Sequence, residues 1–248
     1  MKIQFNAIHR ALAQDDRTRP KRISQIPPGW KSGLPVHVSK DSQSGKTVRA
    51  CPGIDDFLHL GYIIPLWTDV ILTRVSVDTM GRMKADPNGR KVHCQTAYGT
   101  PPFEFHAIEQ VKGAEPFEPV VPMDQLVKPS CPWFIRTPPF WSVLILPMYY
   151  NAKKIKTPIQ PLPGILNTDH WHQMNTACKW DDIAPVMEMK AGTPFMHVIP
   201  FRRNETLEEE ITFIDNERDW QELRGFQSDM TGSYRRQQRN FEKATDEG

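Results

Sequence analysis

A mainly β protein is predicted: a single sandwich or jelly-roll-like domain over residues 51–215, preceded by an extended basic arm (1–50) and followed by a helix and an acidic polar tail (216–248). Three observations predict it. The 248 residues include 23 prolines against 14 glycines, and proline lacks a backbone donor and blocks helix interiors, which favours short strands and ordered loops. The apolar segments are short, rich in β-branched and aromatic residues, and bounded by proline and glycine. A chain of this length is one that β architectures commonly use as a single unit.

The arm comes first. Residues 1–50 carry ten Lys/Arg and three Asp/Glu, with few apolar anchors and two Pro/Ser/Gly/Lys-rich stretches, Arg19 to Gly33 and Ser39 to Lys46. Such a segment rarely builds its own core, so an extended arm is expected, opening with a short strand at Lys2 to Phe5. Residues 201–248 carry eight basic against twelve acidic side chains. Oppositely charged ends suit docking onto neighbouring copies, and a basic arm also suits contact with nucleic acid phosphates.

Cys51 to Leu60 reads as a turn and short helix, with Pro52 in its first turn, Asp55 and Asp56 at its positive end, and Gly61 ending it. Tyr62 to Leu66 and Val70 to Val77 read as strands. Asp86-Pro87-Asn88-Gly89 suits a tight hairpin turn between Val75 to Met83 and Lys91 to Gln95. Residues 99–130 are proline-rich and read as loop. Trp133 to Arg136 and the apolar run Phe140 to Leu146 read as strands about a Pro138-Pro139 turn, the second covered on both faces. Pro185 to Met189 and Pro194 to Phe201 read as a hairpin closed by Lys190-Ala191-Gly192-Thr193. Glu210 to Ile214 suits a last strand, and Asn216 an N-cap for a helix bearing Trp220, Leu223 and Phe226.

Cys51, Cys94, Cys131 and Cys178 are isolated, so reduced thiols are expected rather than a metal cluster, and the opening Met1-Lys2-Ile3-Gln4 leads to the expectation of no secretory leader. The expected location is the cytoplasm of a host cell, or a virion. With no apolar stretch of some 18 residues, no membrane span is expected.

The chemistry-bearing residues concentrate in Asn167-Thr168-Asp169-His170-Trp171-His172. Two histidines two apart share one side of a strand, so His170 and His172, with Asp169 before them and His197 as a third donor, could begin a jelly-roll metal site. No glutamate follows at the usual cupin spacing, because Asn175 and Thr176 stand there. Polar, half-buried loop histidines are therefore the preferred reading, with no metal or cofactor. Tyr234, Arg235, Arg236 and Arg239 interleave basic and aromatic side chains, but within an acidic tail that suits a solvated face. Asn167, Asp169, His170, Trp171, His172 and Arg136 are the candidate binding residues.

The layout from Gly164 to Asp169, with the Gly192-led segment to Ile199, is similar to the dUTPase-like trimeric β-fold, in which a Gly-x-x-Asp turn presents a catalytic base. Here Asn167 stands in that place, and a neutral amide cannot take a proton from water. More closely, five motifs resemble a family of bacterial and tailed-phage proteins known as a domain of unknown function. They are Phe134 to Pro139, Pro163 to Asp169, Lys179-Trp180, Lys190 to Pro194 with Val198 to Arg203, and Cys51-Pro52 with Gly61 to Pro65. The resemblance spans Cys51 to Trp220 and implies a β-rich domain and a phage origin. It supplies no catalytic residues. It also implies glycine after the paired prolines, where this chain has Phe140, and an aromatic after Thr-Asp, where this chain has His170-Trp171.

Together these features favour a non-enzymatic interaction or assembly protein, a phage virion structural or accessory component that contacts neighbouring subunits or other virion proteins. The alternative is a metal- or nucleotide-dependent enzyme with its site at Asp169, His170 and His172.

Overall fold

The computed structural model describes residues 2–38, 46–77, 83–85, 91–93, 101–105, 126–150, 159–180, 186–205, 207–209, 211, 216–218, 220, 221 and 239. The architecture is mainly β, and each strand pairing among the described residues is antiparallel. The chain forms two compact units, Met1–Ile26 with Gly61–Asn204, and Pro27–Leu60 with Glu205–Gly248.

The first unit holds the strands. In one sheet β9 (Trp133–Arg136) lies between β1 (Gln4–Ala7) and β13 (His172–Gln173). A second runs in the order β12 (Gly164–Asn167), β10 (Trp141–Pro147), β16 (Pro194–Arg202), β3 (Tyr62–Pro65), β2 (Lys21–Arg22). A third runs β11 (Ile159–Pro161), β14 (Cys178–Trp180), β8 (Leu126–Pro129), β7 (Phe103–Phe105). In the fourth, β15 (Val186–Met189), β5 (Met83–Ala85) and β6 (Lys91–His93) all pair with β4 (Val70–Val77).

The second sheet buries its two longest strands, β10 alternating from Val143 and β16 buried continuously from Phe195 to Val198. Val143 and Ile145 on β10 and Met196 and Val198 on β16 have no exposed surface, while Leu144 and Leu146 are half-buried. Each fully buried aliphatic side chain of this kind contributes about 1.5–3 kcal/mol. Pro194 opens β16, where a missing donor costs least. Pro200 falls past the end of β3, whose register closes at Tyr62 opposite Val198, so it removes no bond to that strand. One continuous core joins Leu12, Ile64, Leu72, Val127, Ile135, Ile145, Met174 and Trp180.

Two expectations are corrected here. Among the described residues, Val186–Met189 and Pro194–Arg202 do not pair as a hairpin: β15 pairs with β4, and β16 pairs with β10 and β3. The intervening loop is held by the β3–β4 connection instead. Leu66 N–H donates to Thr193 O and Gly192 N–H to Leu66 O, both at 2.8 Å, and Asp69 accepts from Ala191 N–H at 2.8 Å. That backbone bond and the Lys190 ammonium hold the Asp69 carboxyl below the usual carboxylate range. Within 99–130, read as loop, the described residues include β7 and β8, paired Phe103 to Pro129.

The first 26 residues also differ from a separate arm. β1 pairs with β9 along its length, β2 pairs with β3, and Leu12 in helix α1 (Arg10–Gln14) and Ile23 are buried. Isolated apolar residues in polar surroundings suffice to anchor them to the sheets. Lys2 to Phe5, expected as a strand, is displaced by two residues to Gln4–Ala7.

The second unit contains α2 (Gly29–Gly33) and α3 (Pro52–Phe57). Pro52 opens α3 and Asp55 sits in its first turn, as predicted. The Lys31 ammonium pairs with the Asp55 carboxylate, and Arg49 donates to Leu34 O at 2.8 Å. Asn216 precedes helical residues 217, 218, 220 and 221 and accepts at its carbonyl from Trp220 N–H. The Asp86 to Gly89 turn, most of Glu210 to Ile214, Leu223, Phe226 and all of the tail except Arg239 lie outside the described residues.

Among the described residues no helix is long and apolar enough to cross a membrane. Burial pushes the Cys131 thiol up to about 12 and raises that of Cys178, so both behave as small core hydrophobes rather than nucleophiles.

Candidate functional site

The predicted binding residues meet where β9, β10, β12 and β13 end. β9 finishes at Arg136, and Thr137 leads into a turn in which Trp141 N–H donates to Pro138 O at 3.3 Å. Phe140 occupies the third position of that turn with φ 66°, the left-handed region. A proline followed by a positive φ is the pattern of a type II turn, which favours glycine at its third residue. This is the position at which the resemblance set out above implies glycine.

Beneath the turn, Thr137 and Thr168 are buried and joined twice. Thr137 N–H donates to Thr168 O, and the two hydroxyls lie 2.7 Å apart. The Thr137 hydroxyl also donates to Trp141 O at 3.3 Å, which leaves the Thr168 hydroxyl as donor between the pair. Asn167, exposed at the end of β12, faces Ser142 in register and accepts from its hydroxyl at 2.9 Å. The Gly164 to Asn167 segment is thus a strand, not the catalytic turn that the dUTPase-like comparison would need.

Asp169 pairs with Arg203, whose own backbone N–H donates to Phe140 O at 2.8 Å. Burial pushes the Asp169 carboxyl up, but the hydrogen bond and charge of Arg203, with backbone bonds from Asp169 and Phe140, outweigh it and hold the group below the usual carboxylate range. It is an ionised clamp rather than a proton acceptor. Arg136 extends over Trp171, its guanidinium 5.7 Å from the ring centroid. His172 lies on β13 opposite Ile135, and its Nδ1 donates to Gln173 O at 2.8 Å.

His170 and His172 do not share a strand. His170 is exposed in the bend at Asp169–His170, and only His172 belongs to β13. His197 is buried in β16, in register with Leu146 and Ile63. Among the described residues no group of three His, Cys, Asp or Glu side chains is placed to hold a metal ion. Sequence reasoning missed Arg203, Thr137, Thr168, Ser142 and the outward Phe140. The one local signal was the glycine-requiring turn position filled by phenylalanine.

What the arrangement presents outward is two large rings, Phe140 at 58% and Trp171 at 42% exposure, with Arg136 beside the second. A non-glycine residue in the left-handed region costs about 1–2 kcal/mol. Phe140→Gly is therefore expected to raise unfolding stability by about 0.5–1 kcal/mol after the added freedom of the unfolded chain is set against it. Urea unfolding at matched oligomeric state measures this, and a variant less stable than the parent would mean the ring is held by packing that outweighs the strain.

Comparison with known protein families, with characterised proteins and with solved structures finds no match.

Proposed function

We propose that the protein is a non-enzymatic interaction or assembly protein that binds neighbouring copies of itself through the surface formed by Phe140, Trp171 and Arg136. The observation that carries this is the pair of outward rings on a bonded platform. Monomer surfaces spend little on presenting tryptophan and phenylalanine together beside arginine, and these are the residue types that anchor interfaces. The clamp of Thr137 with Thr168 and Asp169 with Arg203 fixes the platform in advance, so less ordering entropy is lost on binding.

The enzyme alternative has weaker support. It needs Asp169, His170 and His172 to converge on a ligand, whereas Asp169 is committed to Arg203 and His172 Nδ1 to Gln173 O. A role in a tailed-phage virion, with a sandwich or jelly-roll packing of the sheets, extends the proposal by way of the family resemblance. The charged ends enter it unequally. Of the basic residues in the first 26 positions, Lys21 and Arg22 are carried on a sheet strand, and most of the acidic end lies outside the described residues.

Size-exclusion chromatography with light scattering across a concentration series tests the proposal. The parent is expected to self-associate, and Trp171→Ala to weaken association by about tenfold or more, a hot-spot effect of about 1.4 kcal/mol or above, with its unfolding midpoint unchanged at dilutions where both are monomeric. A parent that stays monomeric, or association indifferent to Trp171→Ala, overturns it.

A further inference from the structure

On the first unit, β1, β2 and β3 and the chain before β2 line a cleft of about 470 Å³. Its lining includes two aromatic rings, Phe5 and Tyr62, and three cations, Arg19, Lys21 and Arg22, against one carboxylate, Asp16. We propose that this cleft binds single-stranded nucleic acid, a base lying against the Phe5 and Tyr62 rings and the flanking phosphates on Arg19, Lys21 and Arg22.

The sequence places these groups together by register. Arg22 pairs with Tyr62 across β2 and β3, which sets its guanidinium 5.9 Å from the Tyr62 ring centroid. Phe5 approaches the same ring edge-on, centroids 5.2 Å apart at 61°. Arg19 and Lys21 converge because Asp16 holds both, at 2.6 and 2.8 Å. Hydrogen bonding and charge from Lys21, then Arg19, keep the Asp16 carboxyl below its usual range, so it remains ionised at neutral pH. One negative charge thus organises two positive ones, and with Arg22 the lining keeps an excess of two positive charges.

The excess charge and the rings select the ligand class. A lone anion would use the net positive charge without the rings, whereas an uncharged aromatic would use the rings without the net positive charge. A nucleotide unit answers both, and rings interleaved with Lys/Arg are how sequence-tolerant single-strand sites are built. The volume lies within the about 300–1,000 Å³ range of ligand clefts. A free mononucleotide shares the chemistry of one unit but reaches fewer cations than a strand does, so the strand is the expected ligand.

Fluorescence anisotropy with the full chain and a labelled short oligothymidylate at low salt tests the proposal. Binding is expected, weakening with added salt by a slope of about 0.7 per phosphate contact. The Arg19→Ala/Arg22→Ala double variant is expected to lose about tenfold in affinity and roughly one unit or more of that slope. Arg22→Lys retains the charge and should keep the slope. Phe5→Leu retains the packing and loses affinity without changing the slope, which a merely electrostatic surface would not do. Absence of binding by the parent, or indifference to the double variant, overturns the proposal. Equal affinity for thymidine monophosphate or for a duplex overturns the strand as ligand.

Discussion

Gly61→Ala is expected to destabilise the first unit by about 3 kcal/mol or more, combining left-handed backbone strain with a clash against the backbone. Gly61 has φ +83°, and a Cβ built on it would meet Val198 O at 2.3 Å and Val198 C at 3.1 Å. Neither obstacle is the movable end of a side chain. Val198 belongs to β16, pairs with Tyr62 next to Gly61, and has no exposed surface, so it can retreat only by shifting the central strand of the largest described sheet. Gly61 O also accepts from Ile23 N–H at 3.2 Å, so a shift would loosen β2 as well. Gly164→Ala is the control within the same unit. Its Cβ would meet nothing closer than Thr176 Oγ1 at 3.6 Å, ordinary contact, and the cost should stay below about 1 kcal/mol. Urea unfolding of both variants decides the matter. Equal midpoint shifts would mean that β3 and β16 do not approach as closely as described.

Gly61 also illustrates what could be read in advance. A glycine after the Cys51 to Leu60 segment suggested a helix terminator, yet α3 ends at Phe57 and Gly61 instead admits the backbone of β16. Strands long enough to carry a pattern were legible: Val70–Val77, Tyr62–Pro65 and Trp133–Arg136 stand where their β-branched runs and flanking prolines put them. Partners were not. Lys190 to Thr193 has the length and glycine of a hairpin loop, and what prevents a hairpin is Leu66 and Asp69, more than 120 positions away. Strands of three residues, such as Phe103–Phe105 and Cys178–Trp180, are too short for periodicity to register.

The site was legible in composition but not in role. Asn167, Asp169, Trp171, His172 and Arg136 do gather at one end of adjoining strands. The spacing of His170 and His172 suggested a shared strand face, and a bend at His170 breaks that. Asp169 gave no hint of being a clamp, because its partner Arg203 lies 34 positions on and is reached only once β16 crosses beside β10. The basic arm was read from charge and from its scarcity of apolar residues. Its use of Phe5 and of β2 to wall a cleft depends on pairing with β9 and β3, which no local pattern announces.

Trp67→Ala is expected to cost about 3–5 kcal/mol, the range for removing a large buried aromatic. Trp67, 2% exposed, lies in the connection between β3 and β4. Its ring stacks on Phe103 at 5.9 Å and 20° and meets Phe195 edge-on at 6.2 Å and 71°, while Phe103 and Phe195 meet at 5.7 Å and 86°. Each ring comes from a different stretch of chain: Phe103 from β7 in the third sheet, Phe195 from β16 in the second, and Trp67 from the segment that feeds the fourth. Truncation therefore opens a void where three sheets abut, and none can close it without leaving the others. Trp67→Phe keeps a ring and should lose less, about 1–2 kcal/mol. A double-mutant cycle with Phe103→Ala should return a coupling of about 0.5–1.5 kcal/mol for the stacked pair. If the trio joins the sheets into one cooperative unit, Trp67→Ala shifts the urea midpoint and leaves a single transition with an unchanged slope. Two separated transitions in the parent chain assigned to different sheets of the first unit, or a Trp67→Ala cost below about 1 kcal/mol, would show that the sheets are held together elsewhere.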